Sequence, residues 1–373
     1  MIKVGVIAEY NPFHNGHLYH LNKVKEMFPD AYLILVLIGN FTQRADASII
    51  NKWDKTKIAL KCGYNLVVEL PFNIATSSAS IYAKGAIDIL NKLDCNYLVF
   101  GSETNDVSLF KKLVNITNDN KNYEEKIRTY LKEGYNYPKS CSLALSDISK
   151  ITIDKPNDVL ALEYVRSIIN TNSKITPISI KRTNDYNEEE IKSDITSATS
   201  IRKNINNKNL IKKTLPSYSL NLIKDINEKD YFTLLKYKII ISDDLIDILD
   251  VDEGILNKLK KVVLESLDLN DLIMRVKSKR YSYNRIKRML LHILTNTKKN
   301  YSTNINYIRV LGLDNKGKEV LKSVKKKIDV PIITKYKKEY DSLFKDDIKA
   351  SKLYSLLSNY DYKEEYQSSI KKG

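Results

Sequence analysis

Cysteine is scarce in this chain of 373 residues, and long apolar runs are absent. Cys62, Cys95 and Cys141 form no CxxC pair and no cluster with histidine, so the sequence predicts neither a disulfide framework nor a structural zinc site. No stretch reaches the ~18 apolar residues that a membrane helix needs, and no basic and apolar leader opens the chain. We therefore expect reduced thiols, no metal site formed by side chains, no membrane contact and a cytoplasmic location.

A paired nucleophile and base around a serine or cysteine is also absent from the sequence, as are internal repeats. The sequence therefore gives no indication of a covalent enzyme intermediate. With 43% hydrophobic residues, the chain is long enough to bury a core in each of two domains, which excludes a wholly disordered protein.

Histidine is equally scarce, but three of the four histidines lie between His14 and His20. They belong to the segment IKVGVIAEYNPFHNGHL, which reads as a short apolar strand, a turn, and the start of a helix with apolar residues at helical spacing. Such a turn directs the free backbone N–H groups of the helix start toward the edge of a sheet, where phosphate is the natural ligand. The pattern therefore predicts a nucleotide site.

Two of these histidines suit chemistry at an α-phosphate. His14 and His17 can both donate hydrogen bonds to phosphate oxygens, and Gly16 has no Cβ that would keep a base or ribose from the backbone. We interpret His14 and His17 as catalytic residues. The alternative is a chance HxGH string whose histidines are solvated or cap the helix. His20 taken alone favours packing on the helix face.

The first half of the chain alternates short strands with amphipathic helices. The predicted strands are Val4–Ala8, Tyr32–Ile38, Asn65–Leu70, Tyr97–Phe100 and Ile175–Ile180. The predicted helices are His17–Phe28, Lys52–Cys62, Ser77–Leu93, Tyr123–Lys132 and Val159–Ile169. This alternation is typical of an α/β fold with a Rossmann-like parallel sheet, which is covered by helices and binds ligands at the carboxyl ends of its strands.

After about residue 205 the strand pattern fades, and the sequence predicts only helices. These are Tyr218–Ile226, Tyr231–Ile241, Asp244–Leu249, Glu253–Leu267, Asn270–Val276, Tyr283–Asn296, Lys316–Lys326 and Ser351–Ser358. The Asn- and Lys-rich stretch Lys203–Lys213 is the predicted linker. We therefore expect a nucleotide-binding catalytic domain over residues 1–205 and a basic α-helical domain over residues 206–373.

Positive charge is concentrated in the second half of the chain. Residues 1–200 hold 24 Lys and Arg against 23 Asp and Glu, whereas residues 201–373 hold 37 against 22. An A/T-rich coding sequence would enrich lysine in both halves, so it does not explain this asymmetry. The asymmetry favours a polyanionic partner for the second half.

The segment Asp271–Leu290 is the most basic part of that half. Tyr281 and Tyr283 lie among its positive residues, which are Arg275, Lys277, Lys279, Arg280, Arg285, Lys287 and Arg288. Lysine and arginine can follow phosphates while tyrosines stack on unpaired bases, so we predict RNA contact here. The alternative is a solvated helix face with the tyrosines packed in the core.

Polar residues follow the other predicted strands. Asn40, Gln43 and Arg44 come after the second strand and are the predicted substrate pocket. Gly101 follows the fourth strand, where it would admit adenine or ribose, and Arg182 follows the fifth, where it could clamp phosphates. The string TSATSIR from Thr196 to Arg202 predicts a helix start, with Thr199 and Arg202 facing the β- and γ-phosphates. Taken singly, each of these residues could also have only a structural role, as a helix cap, a turn residue or a partner in a surface ion pair.

The paired strings HNGH and SATSIR resemble the nucleotidyltransferase superfamily related to class I aminoacyl-tRNA synthetases. Longer strings resemble the tRNA(Met) cytidine acetate ligase family in nine ordered blocks between Met1 and about Leu321: VIAEYNPFHNGHLYH, GNFTQRADASIINKWDKTKIAL, LVVELPF, FGSE, KPNDVLALEY, ITPISIKR, ITSATSIR, RYSYNRIKRMLLHIL and RVLGLDNKGKEVL. Two positions depart from the family pattern. Ala45 stands where the family usually has glycine, and Asp158 stands where it usually has the second of two asparagines.

The resemblance implies an enzyme that activates acetate with ATP and then acetylates N4 of the wobble cytidine, position 34, of elongator tRNA(Met). It implies an ATP site at Ile7, Ala8, Glu9, Tyr10, Asn11, Pro12, Phe13, His14, Asn15, Gly16, His17, Leu18, Tyr19 and His20, with Gly101, Asn157, Arg182 and Thr183. Mg²⁺ held mainly by the triphosphate is expected, since Mg²⁺ commonly relies on substrate phosphates and water. Residues 1–205 would then bind ATP, and residues 206–373 would bind tRNA.

Two other functions stay open at this point. A small-molecule adenylyltransferase would share the nucleotide site but leave the basic helical half without a purpose. A non-catalytic RNA-binding protein would not need intact HNGH and SATSIR strings. The sequence does not distinguish free acetate from a thioester donor, although the absence of an evident acetyl-CoA-binding feature favours acetate.

Overall fold

The fold is a mostly parallel sheet with helices on both faces, seen in a computed structural model that describes residues 1–118, 120–182, 191, 193–368 and 370–373. The described strands are β1 (Lys3–Ala8), β2 (Tyr32–Ile38), β3 (Leu66–Leu70), β4 (Tyr97–Ser102), β5 (Thr176–Lys181), β6 (Ile308–Leu313), β7 (Ile332–Ile333) and β8 (Lys371–Lys372). They lie in the order β5-β4-β1-β2-β3-β6-β7, with β8 paired to β6. The predicted α/β fold with a Rossmann-like sheet is confirmed.

Helices fill the connections. In the first half they are α1 (Asn15–Met27), α2 (Lys52–Cys62), α3 (Phe72–Ala75), α4 (Ala79–Lys92), α5 (Val107–Thr117), α6 (Lys121–Lys132), α7 (Tyr137–Ser149), α8 (Pro156–Asn170) and α9 (Ala198–Lys203). Later come α10 (Lys208–Lys212), α11 (Glu228–Ile241), α12 (Glu253–Val262), α13 (Leu269–Val276), α14 (Tyr283–Thr295), α15 (Asn315–Val324), α16 (Lys345–Leu357) and α17 (Glu364–Gln367). Short 3₁₀ turns span Leu220–Leu222, Leu245–Asp247 and Lys338–Tyr340.

The core lies on both faces of the sheet because successive residues of a strand point to opposite sides. In β2, Leu33, Leu35 and Leu37 join one cluster, while Ile34 and Val36 join the other. The first cluster takes apolar residues from α1 and α2 of the first half and from α11, α12, α13, α14 and α16 of the second, so both halves of the chain cover that face. The second cluster is covered mainly by α4, α5, α8 and α15.

The expectation of a purely helical second half is wrong at β6. Ile308–Leu313 pairs antiparallel with β3, through Leu66 to Leu313 and Glu69 to Arg309. An isolated strand among helices gives little periodic signal, and its pairing depends on a partner about 240 residues away in sequence. Residues 308–313 therefore complete the sheet of the first half.

Other predicted elements also need correction. The helix predicted over Tyr218–Ile226 is only the 3₁₀ turn at Leu220–Leu222, and the one predicted over Asp244–Leu249 is the turn at Leu245–Asp247. The sequence reading missed α5 and α7. It placed α2 correctly at both ends, because Asn51 caps the start and Gly63 at φ 101° ends the helix.

No helix in the part of the chain that the structure describes combines the length and the apolar character needed to cross a membrane.

Candidate active site

The turn between β1 and α1 holds two histidines in a reciprocal cap. His14 is the N-cap of α1, and its Nδ1 accepts a hydrogen bond from the backbone N–H of Gly16 at 3.0 Å. The Nδ1 of His17 accepts from the backbone N–H of His14 at 3.3 Å, and the two ring centroids lie 3.8 Å apart. Because each Nδ1 accepts, each neutral ring carries its proton on Nε2. Both rings therefore offer an Nε2–H donor.

These rings are held neutral. Burial, reinforced by Arg182 and Arg202, lowers the pKa of His14 to about 3. Burial also lowers the pKa of His17 well below its usual value, with His14 and Arg182 adding to the effect. Burial and Arg182 lower the pKa of His20 to about 4. Three histidines beside two arginines thus form a site rich in donors and positive potential, which suits an anion.

Gly16 also leaves room for the histidine pair. A Cβ at Gly16 would lie 2.8 Å from Cε1 of His14, closer than real Cβ contacts. The structure therefore gives a reason for glycine at this position besides the predicted approach of a base or ribose. A side chain here would displace the histidine that caps α1.

The SATSIR motif meets the turn directly. The guanidinium of Arg202 donates to the backbone carbonyl of Asn11 at 2.7 Å and to Oγ1 of Thr199 at 3.3 Å. The amide of Asn15 donates to the carbonyls of Asp194 and Lys213 at 3.0 and 2.9 Å. Two motifs about 180 residues apart in sequence are therefore adjacent, as the sequence predicts.

The strands β4 and β5 bring a second group to the same site. A Cβ at Gly101 would contact the side chain of Arg182 at 3.4 Å, and Arg182 affects the pKa of all three histidines of the turn. Thr183 lies outside the described residues. Gly101 and Arg182 thus lie near the turn, as expected.

Asn157 and Asp158 organise the loop after β4. The amide of Asn157 donates to Glu103 at 2.6 Å. The carboxylate of Asp158 accepts hydrogen bonds from Ser102 Oγ at 2.5 Å, from the N–H of Glu103 at 2.9 Å, and from Thr104 N–H and Oγ1. The aspartate at this departure from the family pattern therefore anchors the loop that carries Gly101, since a carboxylate accepts at both oxygens.

Lys55 is a residue of this region that the sequence reading missed. It is fully buried on α2, and its ammonium donates to the carbonyls of Gly39 at 2.7 Å and Glu9 at 3.1 Å. Burial lowers its pKa to about 7, although Glu9 and Glu69 act in the opposite direction. Lys55 thus joins the carboxyl ends of β1 and β2, where the site lies. The sequence did hold a signal for its burial, because its helical spacing from Ala59 and Cys62 places the lysine on an apolar face of α2.

The three residues of the predicted substrate pocket lie in two different environments. Asn40 is 4% exposed; its Oδ1 accepts from Lys52 N–H at 2.9 Å and its Nδ2 donates to Ser351 at 3.2 Å, so both amide atoms are engaged within the protein. Gln43 and Arg44 are half-buried beside Glu9: the N–H of Gln43 donates to that carboxylate at 2.8 Å. Gln43 and Arg44 lie near the turn, and Asn40 supports the fold.

Ala45 adopts a backbone conformation that favours glycine. Its φ is 63°, in the left-handed region that costs a residue with a Cβ roughly 1–2 kcal/mol, and it closes a turn onto the carbonyl of Thr42 at 2.9 Å. The chain makes this turn with alanine.

The seven basic residues predicted to contact RNA differ in exposure. Arg275, Lys277, Lys279 and Arg280 are exposed, although Arg275 pairs with Asp271 and Glu265. The other three are engaged within the protein: Arg285 pairs with Asp252, Lys287 pairs with Asp46, and the Nε of Arg288 is buried, which lowers the pKa of this side chain.

The prediction that tyrosines of this segment stack on bases is wrong for Tyr281. Its ring is 9% exposed, and its hydroxyl donates to Asp252 at 2.5 Å. Tyr283 is half-buried and donates to Asn270 at 3.2 Å. The core-packing alternative holds for Tyr281, because α12 and α14 close over it.

Among the described residues, no group of three or more His, Cys, Asp or Glu side chains could hold a metal ion. The groups that meet at the turn are hydrogen-bond donors, which fit a phosphate and not a bare cation.

Comparison with known proteins places this geometry in a family. A model of the HIGH Nucleotidyl Transferase family matches residues 1–369. Proteins named tRNA(Met) cytidine acetate ligase from Caldicellulosiruptor saccharolyticus and Clostridium perfringens are 42% and 41% identical, with 95% of this chain and 94% and 95% of theirs covered.

Solved structures agree. The apo form I crystal structure of Thermotoga maritima TmcAL has a TM-score of 0.89 and 27% identity, with 100% of both chains covered. The form II structure of that protein, bound with alpha-thio ATP, has a TM-score of 0.88. The chain therefore belongs to the HIGH nucleotidyl transferase family, in the group that contains the tRNA(Met) cytidine acetate ligases.

Proposed function

We propose that this chain is an ATP-dependent ligase that acetylates N4 of the wobble cytidine of elongator tRNA(Met). The observation that carries the proposal is the pair of neutral histidine donors at the start of α1, next to Arg202. The extent of the family match supports the same activity, because it includes both the nucleotide site and the basic second half. A small-molecule adenylyltransferase would leave that second half unexplained.

The reaction has two steps. An acetate oxygen attacks the α-phosphorus of ATP, the bond to the pyrophosphate oxygen breaks, and acetyl-adenylate forms. N4 of the cytidine then attacks the acetyl carbon, AMP leaves with the bonding electrons, and N4 loses a proton. Acetate needs this activation because it is a poor acylating agent by itself.

The residues of the site supply position and electrostatic stabilisation for the first step. His14 and His17 donate through Nε2 to phosphate oxygens as negative charge builds on the departing pyrophosphate. Arg182, Thr199 and Arg202 add donors on the opposite side of the turn. Neutral histidines are preorganised donors and need no change of protonation during the step. Mg²⁺ accompanies the triphosphate and neutralises part of its charge when bound.

We further propose that ATP contacts the continuous segment Ile7 to His20 together with Gly101, Asn157, Arg182 and Thr183. Gln43 and Arg44 line the acetate side. The basic segment from Arg275 to Arg288 lies on the tRNA side, with Lys277, Lys279 and Arg280 making the direct phosphate contacts. A tRNA substrate places the enzyme in the cytoplasm.

Mass spectrometry of nucleosides from total tRNA, with and without the gene, tests the function. We expect N4-acetylcytidine to disappear in the deletion and to return with the wild-type gene. Unchanged N4-acetylcytidine would overturn the proposal. The purified chain with ATP, Mg²⁺, acetate and elongator tRNA(Met) tests the donor, since acetyl-CoA in place of acetate should not support the reaction.

A further inference from the structure

An exposed tyrosine of the first half lies beside the basic segment of the second half. The loop between α6 and α7 contacts that segment through Asn136, whose amide donates to the backbone carbonyl of Lys279 at 3.0 Å. The ammonium of Lys279 lies 5.3 Å from the ring centroid of Tyr135 in the same loop. Two stretches about 140 residues apart thus form one continuous surface.

Tyr137 is the most exposed aromatic residue of this surface. It is 63% exposed, whereas Tyr281 of the basic segment is 9% exposed. It is the first residue of α7, where Asn136 is the N-cap and Pro138 follows in the first turn. The ring therefore lies at the start of a capped helix, and most of its area faces solvent.

The charge around this ring is strongly positive. The loop and the basic segment, residues 132–139 and 277–280, hold five basic residues against Glu133. Lys139, Lys277, Lys279 and Arg280 are all exposed. An aromatic face among several cations is the arrangement that binds single-stranded nucleic acid, because bases stack on the ring while cations hold the phosphates.

We propose that residues 132–139 and 277–280 form one RNA-binding surface, on which an unpaired base of the tRNA stacks on Tyr137 and the flanking phosphates contact Lys139, Lys279 and Arg280. This inference rests on the proposed tRNA substrate. It assigns to the first half of the chain a part of tRNA recognition that its near-zero net charge does not reveal. Tyr137, which is exposed in the fold, thus takes the stacking role that the sequence predicts for Tyr281.

Affinity for elongator tRNA(Met), measured at several salt concentrations with the full chain, tests this surface. Tyr137→Ala should weaken binding by about 5- to 100-fold, the range for loss of one stacked base, and Tyr137→Trp should retain binding to within about 3-fold. Lys139→Ala should reduce the slope of log affinity against log salt by about one unit. Acetate-dependent ATP–pyrophosphate exchange should stay at the wild-type rate in all three variants.

Tyr237→Ala is the matched control, since Tyr237 is 62% exposed on α11 and is followed by Lys238. It should bind tRNA like the wild type. Wild-type tRNA affinity in both Tyr137→Ala and Lys139→Ala would overturn the proposed surface. A loss of affinity in Tyr237→Ala equal to that in Tyr137→Ala would overturn it as well. If Tyr137→Ala fails to fold, the tRNA affinities of Tyr137→Trp and Lys139→Ala test the surface instead. A wild-type chain that acetylates no tRNA would instead overturn the proposed function, so the two failures are distinguishable.

Discussion

Two polar clusters lie against the same sheet and differ in the groups that form them. The cluster that we call the phosphate turn is formed by His14, His17, Arg182 and Arg202, and burial, with Arg182 adding to its effect, lowers the pKa values of both histidines. The core charge cluster, formed by Lys52, Glu69, Arg309 and Glu365, pairs two cations with two carboxylates at 2.7 to 3.2 Å.

This difference separates the proposed binding site from a structural cluster. In the core charge cluster each cation contacts both carboxylates, so its ion pairs form within the protein without a ligand. The phosphate turn instead includes two neutral histidine rings whose Nε2–H groups are hydrogen-bond donors, the kind of group that binds a phosphate. Burial is similar in the two places: His14 is 4% exposed and Arg309 is also 4% exposed. The kind of polar group, and not burial, therefore distinguishes the two clusters.

The largest expected effect follows from unbalancing the core charge cluster. Glu365→Gln leaves a buried excess of positive charge between Lys52 and Arg309 and should lower the free energy of unfolding by about 3–5 kcal/mol. Urea unfolding measures the change. Glu364→Gln is the control, because this half-buried neighbour lies outside the cluster, and its effect should stay within about 0.5 kcal/mol. Equal stability of Glu365→Gln and the wild type would show that the cluster is not a compensated unit.

The second prediction concerns the phosphate turn. His14→Asn keeps an N-cap acceptor but removes the Nε2–H donor, so acetate-dependent ATP–pyrophosphate exchange should fall by roughly 10²- to 10³-fold with little change in stability. His17→Ala should lose a similar factor. Lys23→Ala on the exposed face of α1 is the control and should retain the wild-type rate. Near-normal exchange in both histidine variants would mean that the turn is only structural.

The third prediction is the pH dependence of the turn. Since folding lowers the pKa of His14 from about 6.5 to about 3, the folded protein binds fewer protons than the unfolded chain between these values. This histidine's contribution to stability is therefore complete above pH 6.5 and is lost as the pH falls toward 3. Imidazole ¹⁵N spectra should show neutral rings protonated on Nε2 at pH 6, with His14→Asn and His17→Ala used for assignment. Titration of these rings near pH 6.5 would contradict the donor assignment.

The smallest expected effect lies at Ala45, in the loop that precedes α2. Ala45→Gly removes a Cβ from a left-handed residue, a gain of roughly 1–2 kcal/mol that the greater chain entropy of glycine offsets by about 0.5–1. The variant should be more stable by about 0.5–1 kcal/mol in urea unfolding. Ala47→Gly provides the contrast, because its φ is not positive and the same change should destabilise. Stabilisation by both changes would rule out backbone strain at Ala45 as the cause.

The elements that the sequence predicts well are those with a local signal. The helix Lys52–Cys62 has a capping Asn51 and a terminating Gly63, and β2 is a run of apolar residues too short for a helix. The nucleotide turn is also local, since strand, turn and helix follow one another within 18 residues. The HNGH and SATSIR strings were enough to predict that the two motifs meet.

The sequence by itself determined the fold class, the family and the position of the phosphate turn, because each depends on local periodicity or on contiguous strings. Only the tertiary structure decided which charged groups are compensated and which are exposed. Lys55, Asn40 and Tyr281 look like ordinary polar residues in sequence, but packing of α2, α16 and α12 buries them. Tyr137 is exposed, and its loop reaches the basic segment through the contacts of Asn136 and Tyr135 with Lys279. Burial and the pairing of charges depend on long-range packing, and local sequence patterns do not encode that packing.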